Sequence, residues 1–136
     1  MAGANDYLRD AEIKRIFQGV AFTPTSTLWV ALFTAAPNSA GGGTEVTTVG
    51  TGYNRVNVTT AGWTTNGIGS VINNAVISFT GSAATTWGTV SHTALVDSSA
   101  GAANYYLWNA LTASKAISSG DAVSFSSGSL TAACSS

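Results

Sequence analysis

The sequence contains very few charged residues. Only 8% of its 136 residues are charged, against about 25% in an ordinary soluble domain, and the net charge is −1. Because it has no block of basic residues, the composition argues against nucleic acid and against an anionic membrane as partners. A surface with so little charge opposes contact between copies only weakly, which favours self-association.

Cysteine and long apolar runs are also scarce. Cys134 is the single cysteine, so no disulfide can form within the chain and folding does not depend on oxidation. A bridge to another copy is the alternative role for Cys134. No stretch approaches the roughly 20 apolar residues that a membrane span needs. The N-terminus has no apolar segment after a basic start, so no signal peptide is predicted.

Residues that could carry chemistry are few and scattered. His92 is the single histidine, and the only carboxylates after the N-terminal segment are Glu45, Asp97 and Asp121. Metal sites and catalytic carboxylate pairs need several such groups at suitable spacing. The Gly41–Gly43 run lacks the lysine and the following helix of a phosphate-binding loop, and is predicted to be a flexible loop. We therefore predict no catalytic residue, no metal or cofactor site and no small-molecule substrate.

Uncharged polar residues make up for the missing charge. The chain has 17 serines, 19 threonines and 15 glycines, a mixture that is common in extracellular and virion β proteins. Its hydrophobic fraction of 45% is that of a folded globular protein. The length predicts one domain, over residues 1–136, with a substantial core.

A run of six apolar residues, Leu-Trp-Val-Ala-Leu-Phe, extends from Leu28 to Phe33. Turn-forming residues bound it, with Pro24 before the run and Ala-Ala-Pro-Asn at 35–38 after it. A short apolar run bounded in this way is typical of a strand buried on both faces. We predict that it is the inner strand on which the other strands and an N-terminal helix pack.

The remainder of the chain predicts short strands separated by turns. The segments are 53–59, 62–70, 75–79, 87–96, 105–111, 123–125 and a last one from Leu130. With the apolar run they give seven or eight strands, and the absence of crossover helices favours antiparallel pairing. The predicted fold is mainly β: an antiparallel two-sheet β-sandwich, jelly-roll or Ig-like, over residues 28–131 after a short N-terminal α-helix.

Alternation within two of these strands predicts which side chains share a face. In the 87–96 segment the side chains predicted on one face are those of Val90, His92, Ala94 and Val96. In the 105–111 segment Leu107 and Leu111 are predicted on one face, with Tyr106 and Trp108 on the other. Tyr105 and Tyr106 must then point in opposite directions, so one of the two rings is a candidate for a surface contact.

Residues 5–18 have the pattern of an amphipathic helix. Asn5 or Asp6 can cap its start, and Gly19 can take the left-handed conformation at its end. The large apolar residues recur at helical spacing at Ile13, Ile16, Phe17 and Val20. Leu8 and Ala11 lie roughly on the opposite side. Two apolar sides suggest contacts with the sheet of the same chain and with a neighbouring subunit, and burial of a single side is the alternative.

Two segments are candidate contact surfaces because their character is unusual for this chain. Six of the eleven charged residues lie within positions 6–15, forming either a solvated face or a docking surface. The 36–52 segment is longer than most loops of compact domains, and such loops often make contacts. The predicted interface residues are Leu8, Arg9, Glu12, Lys14, Arg15, Gly41, Gly42, Gly43, Glu45 and Tyr105.

Nearly the whole chain, residues 5–131, resembles a family of small virion proteins of tailed bacteriophages that are often labelled tail fibre proteins. The segments that carry the resemblance are Leu28–Pro37, Gly43–Val46, Tyr53–Val56, Ile77–Phe79, Trp87–Val90, Asp97, Tyr106–Trp108, Ala110–Thr112 and Gly120–Phe125. No single segment is diagnostic, whereas their order along the chain is fairly specific.

The resemblance implies a non-enzymatic virion structural protein that is made in the cytoplasm of the bacterial host. The sequence has no shaft and no repeats, so we favour a capsid decoration or cement protein at the capsid surface. The alternative is a tail fibre, spike or baseplate-associated protein that contacts the host surface, with glycans as one target. The expected partners are further copies in a homotrimer, and the phage major capsid protein or tail proteins. The helix or the 36–52 segment is expected to make the capsid contact.

Overall fold

A computed structural model describes residues 3–79 and 83–133, and Cys134 lies outside these residues. Helix α1 (Asp6–Gln18) is the one α-helix among them, and a 3₁₀ turn covers Thr60–Gly62. The strands are β1 (Gly3–Ala4), β2 (Thr27–Ala35), β3 (Thr44–Glu45), β4 (Val56–Thr59), β5 (Trp63–Thr65), β6 (Ser70–Asn73), β7 (Ile77–Ser78), β8 (Gly88–Val96), β9 (Tyr105–Ile117), β10 (Ser124–Phe125) and β11 (Thr131–Ala133).

The largest sheet has six antiparallel strands, with β1, β9, β8 and β2 as successive neighbours. Strands β4 and β3 share the remaining edge of β2: β4 pairs with Thr27–Val30 and β3 with Phe33 and Ala35. Strand β2 therefore has neighbours on both edges, and Val30–Phe33 are completely buried. The prediction that the Leu28–Phe33 run forms the inner strand is confirmed.

Two small antiparallel sheets, β10–β7 and β11–β6–β5, face one side of the large sheet. Between them lies the main core, to which the large sheet contributes Val30, Leu32, Val90 and Leu95, and the small sheets contribute Ile77, Leu130 and Ala132. A second core cluster lies on the other face of the large sheet, around Ala31, Phe33, Ala94 and Val96. The prediction of a mainly β, antiparallel sandwich with one N-terminal helix is confirmed.

Two irregularities in the β8–β9 ladder change the predicted face of Val90 and of Tyr106. The register shifts between Val90 and His92, and Val90 packs in the main core whereas Ala94 and Val96 pack on the opposite face. A second shift leaves Tyr106 between Tyr105 and Leu107, so that Tyr106 and Leu107 both contact the main core. Val90 and Tyr106 are therefore on a different face from the one predicted, because extra residues in one strand of a ladder change the alternation beyond them. The rest of the prediction is confirmed: Leu107 and Leu111 share the main-core face, and Ala94 and Val96 share the opposite one.

The chain forms more strands than the seven or eight predicted, because several have only two or three residues. The predicted loop at 36–52 contains one of them, β3, and also contains Val46 and Thr51, which are buried. Strands this short have no visible alternation, so the sequence pattern cannot reveal them. Only long-range pairing, such as that of Phe33 with Glu45, defines them.

Helix α1 begins and ends as the sequence predicts. The side chain of Asn5 accepts a hydrogen bond from the backbone N–H of Tyr7, and Gly19 takes the left-handed conformation with φ of 66°. The helix contacts the sheet through its Leu8 side, with Leu8 against the main core and Ala11 half-buried. Within the described residues, no helix has both the length and the apolar character that crossing a membrane would require.

Candidate functional site

A cleft of about 370 Å³ opens where the start of helix α1 meets two loops. Its walls are three short segments: residues 5–7, residues 40–42 and residues 103–105. We call it the N-terminal cleft. It brings together Gly41, Gly42 and Tyr105, which the sequence analysis selected separately as interface residues.

Asn5 joins the three walls of the N-terminal cleft. Its backbone N–H donates to the carbonyl of Tyr106 (2.9 Å), and its side-chain amide donates to the carbonyl of Asn38 (3.1 Å). The backbone N–H of Asp6 donates to the carbonyl of Ser39 (2.7 Å). Asn5 is 3% exposed, so its polar groups must be paired within the protein, and they hold the start of the helix on both loops.

The glycine-rich wall is a tight turn. Asn38 and Gly41 exchange backbone hydrogen bonds of 2.8 and 3.0 Å, and the side chain of Asn38 accepts from the N–H of Ala40. Gly43 has φ of 80°, and a Cβ there would lie 2.8 Å from the backbone nitrogen of Pro37. Glycine is therefore required at this position both by conformation and by space.

The third wall is the loop between β8 and β9. The carboxylate of Asp97 accepts hydrogen bonds from the backbone and side-chain N–H groups of Asn104, both at 2.8 Å. The ring of Tyr105 packs edge-on against Phe33, and its hydroxyl donates to the carbonyl of Gly42 at 3.4 Å. Burial raises the pKa of Tyr105, so the cleft presents a neutral phenol.

A buried ion pair fixes the strands beneath this loop. The guanidinium of Arg55 donates to both carboxylate oxygens of Glu45, at 2.8 and 2.7 Å. Arg55 also donates to the carbonyls of Ser98 and Gly101, at 2.8 and 2.9 Å. The side chains of Arg55 and Glu45 are 5% and 22% exposed. Arg55 therefore ties β3 and the start of β4 to the β8–β9 loop.

Tyr53 completes this network at the centre of β2. Its hydroxyl accepts from the backbone N–H of Leu32 and donates to Glu45, both at 2.9 Å. Leu32 lies between the part of β2 that pairs with β4 and the part that pairs with β3. The backbone N–H of Leu32 has no partner in either strand, and the hydroxyl of Tyr53 accepts its hydrogen bond instead. Burial raises the pKa of Tyr53 well above its usual value.

The raised pKa of Tyr53 predicts alkaline destabilisation. The unfolded chain loses this proton near pH 10, whereas the folded protein keeps it, so stability is full below about pH 10 and decreases above it. Tyr53→Phe should cost about 1–3 kcal/mol at pH 7, since it leaves the Leu32 N–H unpaired. The difference between the two proteins should narrow at pH 11, as measured by urea unfolding at both pH values. A constant difference would contradict the prediction.

The outward side of helix α1 is a second unusual surface. Ile13, Ile16, Phe17 and Val20 are 54%, 72%, 77% and 49% exposed. The first three lie on the side of α1 opposite Leu8, and Val20 follows the C-cap Gly19; we call these four residues the helix ridge. Four neighbouring large apolar side chains in water are costly for a monomer and are typical of a contact surface.

The predicted interface residues thus fall into distinct environments. Arg9, Glu12, Lys14 and Arg15 are exposed on the helix, and Leu8 packs against the core of its own chain. Glu45 lies in the ion pair with Arg55, and Gly43 supports the turn from within. Asn5 and Arg55, which organise the cleft and the ion-pair network, are not among the predicted interface residues. An isolated arginine in a chain with so few charges was the available signal for Arg55.

The geometry around His92 does not form a catalytic arrangement. Its Nδ1 lies 2.8 Å from the hydroxyl of Ser91, its ring is near that of Trp108, and burial lowers its pKa. The hydrogen bonds of the described residues give His92 no carboxylate partner, which a base-activated serine would need. Within 3–79 and 83–133, no three His, Cys, Asp or Glu residues are grouped so that they could hold a metal ion.

Comparison with known protein families agrees with the resemblance seen in the sequence. The family model described as "Podophage GP4 fiber I protein gp80" matches residues 3–133. The chain belongs to this family. No curated protein matches the chain significantly.

Membership of the gp80 family supports a structural role in the virion of a bacteriophage. The description of the family refers to a fibre protein, which fits the tail-fibre alternative better than the capsid-decoration role that the sequence analysis favoured. In this chain, the N-terminal cleft and the helix ridge are two surfaces whose composition suggests a partner.

Proposed function

We propose that this protein is a non-enzymatic component of a podophage tail fibre and that its N-terminal cleft contacts carbohydrate on the host surface. The match to the gp80 fibre family supports the placement in the tail. The observation that carries the contact is the composition of the cleft, which combines two tyrosines with neutral and acidic hydrogen-bonding groups.

A sugar ring offers two kinds of surface, an apolar face of C–H groups and a rim of hydroxyls. The rings of Tyr7 and Tyr105 supply apolar walls with polar tips. Asp6 and Asn104 add hydrogen-bonding groups at the rim of the cleft, as do the backbone groups of the glycine turn. A concave site with apolar walls and a few converging polar groups is the usual form of a small-ligand site. The carboxylate of Asp6 favours a neutral ligand over an anionic one.

Filling the N-terminal cleft tests the contact. Ala40→Trp places a large ring within the cleft without altering a core residue, because Ala40 is exposed. We expect binding of the purified protein to host cells to fall by at least about tenfold, since the ring occupies the space of the sugar. Val76→Trp is the matched control, because Val76 is exposed and lies outside the cleft.

Flow cytometry of labelled protein on host cells measures this binding. Host surface polysaccharide should compete for the protein, and the same polysaccharide after periodate oxidation of its diols should not. Equal binding by the two tryptophan variants would refute the cleft as the contact site. Immunogold labelling of virions tests the placement: label on the tail is expected, and label confined to the capsid would favour the decoration role instead.

A further inference from the structure

A groove of about 370 Å³, lined by both apolar and polar side chains, opens between the second half of β9 and the strands β10 and β11. We call it the β9 groove. Its floor includes Leu32 and Val90 of the main core, and Leu111, Val123 and Phe125 form its half-buried walls. In the described part of the chain the two small sheets leave this groove open above the buried floor, and its half-buried walls are the part that a partner could contact.

The edge of the large sheet beside the β9 groove is also uncovered. The described residues of β1 pair with β9 at Leu107 and Trp108. Among the described residues no strand pairs with residues 109–117 on that edge. An open edge of this length is normally covered or guarded by several charges, and here Lys115 is the one charged residue along it.

The helix ridge has the complementary shape and chemistry. It is convex and apolar, and no residue in 3–79 or 83–133 covers it, since the helix contacts the sheet through the opposite side. Glu12 borders the ridge, because it lies four residues before Ile16 on neighbouring helix positions. The other two acids of the helix are already engaged, Asp6 with Arg9 and Asp10 with Lys14.

The charges beside the ridge and the groove are opposite and uncompensated. Lys115 lines the β9 groove, and in the described chain no acidic group lies within 4.0 Å of its amine. Glu12 has no basic partner within that distance among the same residues. The two surfaces are thus complementary. The helix ridge has apolar side chains beside one acid, and the β9 groove has apolar walls beside one base.

We infer that a second copy of this chain occupies the β9 groove, with its helix ridge seated in the groove and its Glu12 paired with Lys115. Ile16 and Phe17, the most exposed ridge residues of α1, enter the groove and remove its apolar walls from water. The ion pair at the rim fixes the direction in which the helix lies, because opposite charges across an interface set its register. This inference concerns assembly and does not depend on carbohydrate binding.

A charge exchange tests the pairing directly. Light scattering after size-exclusion chromatography should show that the wild-type protein self-associates. Glu12→Lys and Lys115→Glu should each weaken the association by at least about tenfold, because each places like charges together. The double variant E12K/K115E should restore it. Ile16→Ser should weaken association without loss of helix by circular dichroism, since Ile16 is exposed in the single chain.

Arg15→Glu is the matched control, because it changes the net charge by the same amount as Lys115→Glu and Arg15 is exposed on the Leu8 side of the helix, away from the ridge. It should leave the association unchanged. A strictly monomeric wild-type protein would overturn the inference. Single reversals without effect would overturn it too, as would a double variant that fails to recover association, or a control that loses it as strongly as Lys115→Glu.

Discussion

Replacing Arg55 by alanine is expected to destabilise the protein by about 3–5 kcal/mol, the usual cost of removing one partner of a buried ion pair. The loss is large because the carboxylate of Glu45 remains half-enclosed without its counter-charge, and the carbonyls of Ser98 and Gly101 lose their donor. Urea unfolding followed by tryptophan fluorescence measures the change. The variant should also loosen the β8–β9 loop, which hydrogen exchange of the backbone amides would report.

Arg9→Ala is the control for Arg55→Ala, because Arg9 forms an exposed ion pair with Asp6 at 3.6 Å. Such pairs contribute about 0–1 kcal/mol in water. If the two alanine variants have similar stability, the Arg55 network does not hold the fold together. Arg55→Met distinguishes the packing of the Arg55 side chain from its hydrogen bonds, since methionine keeps most of the packing and makes none of the hydrogen bonds.

Phe33→Ala is expected to cost about 3–5 kcal/mol through the loss of buried apolar contact and the cavity that remains. Phe33 is completely buried on the face of the large sheet opposite the main core, where its ring contacts that of Tyr105. The cavity would open beneath one wall of the N-terminal cleft. Thermal unfolding by calorimetry gives the stability, and the cell-binding assay should show weaker binding below the melting temperature.

Ile68→Ala is the matched control for Phe33→Ala, because Ile68 is fully exposed in a turn. Its replacement should change the free energy of unfolding by less than about 0.5 kcal/mol. An equal loss at both positions would mean that the second core cluster contributes little to folding. If Phe33→Ala lowers stability and leaves cell binding unchanged below its melting temperature, the N-terminal cleft is not positioned by this cluster.

The two proposals place host binding and self-association on different parts of the molecule. The N-terminal cleft contains polar groups and aromatic rings suited to a small ligand, whereas the apolar helix ridge and the apolar walls of the β9 groove are suited to a protein. Cell binding and self-association can therefore be impaired separately, by Ala40→Trp and by Glu12→Lys. A variant that loses both properties together would indicate that host binding requires the assembled form.

Local sequence patterns predicted the elements whose geometry depends on neighbouring residues. The caps of α1 at Asn5 and Gly19 and the buried run at Leu28–Phe33 follow from residue type and spacing. The β class follows from alternation and turn residues, and the fibre-like family follows from the order of short segments. The very low charge, visible in composition alone, led to the prediction of self-association, which stays a prediction.

The orientation of α1, the faces of β8 and β9 and the geometry of the sites depend on pairing between segments that are distant in the sequence. Which side of α1 faces solvent depends on where β9 and Phe22 lie, because a helix with apolar residues on two sides can pack by either. The two irregularities in the β8–β9 ladder moved Val90 and Tyr106 from their predicted faces, since a register shift leaves no trace in local alternation. Arg55, Glu45 and Tyr53 meet only because β2 carries β3 and β4 on one edge, and the N-terminal cleft exists only where three distant segments converge on Asn5.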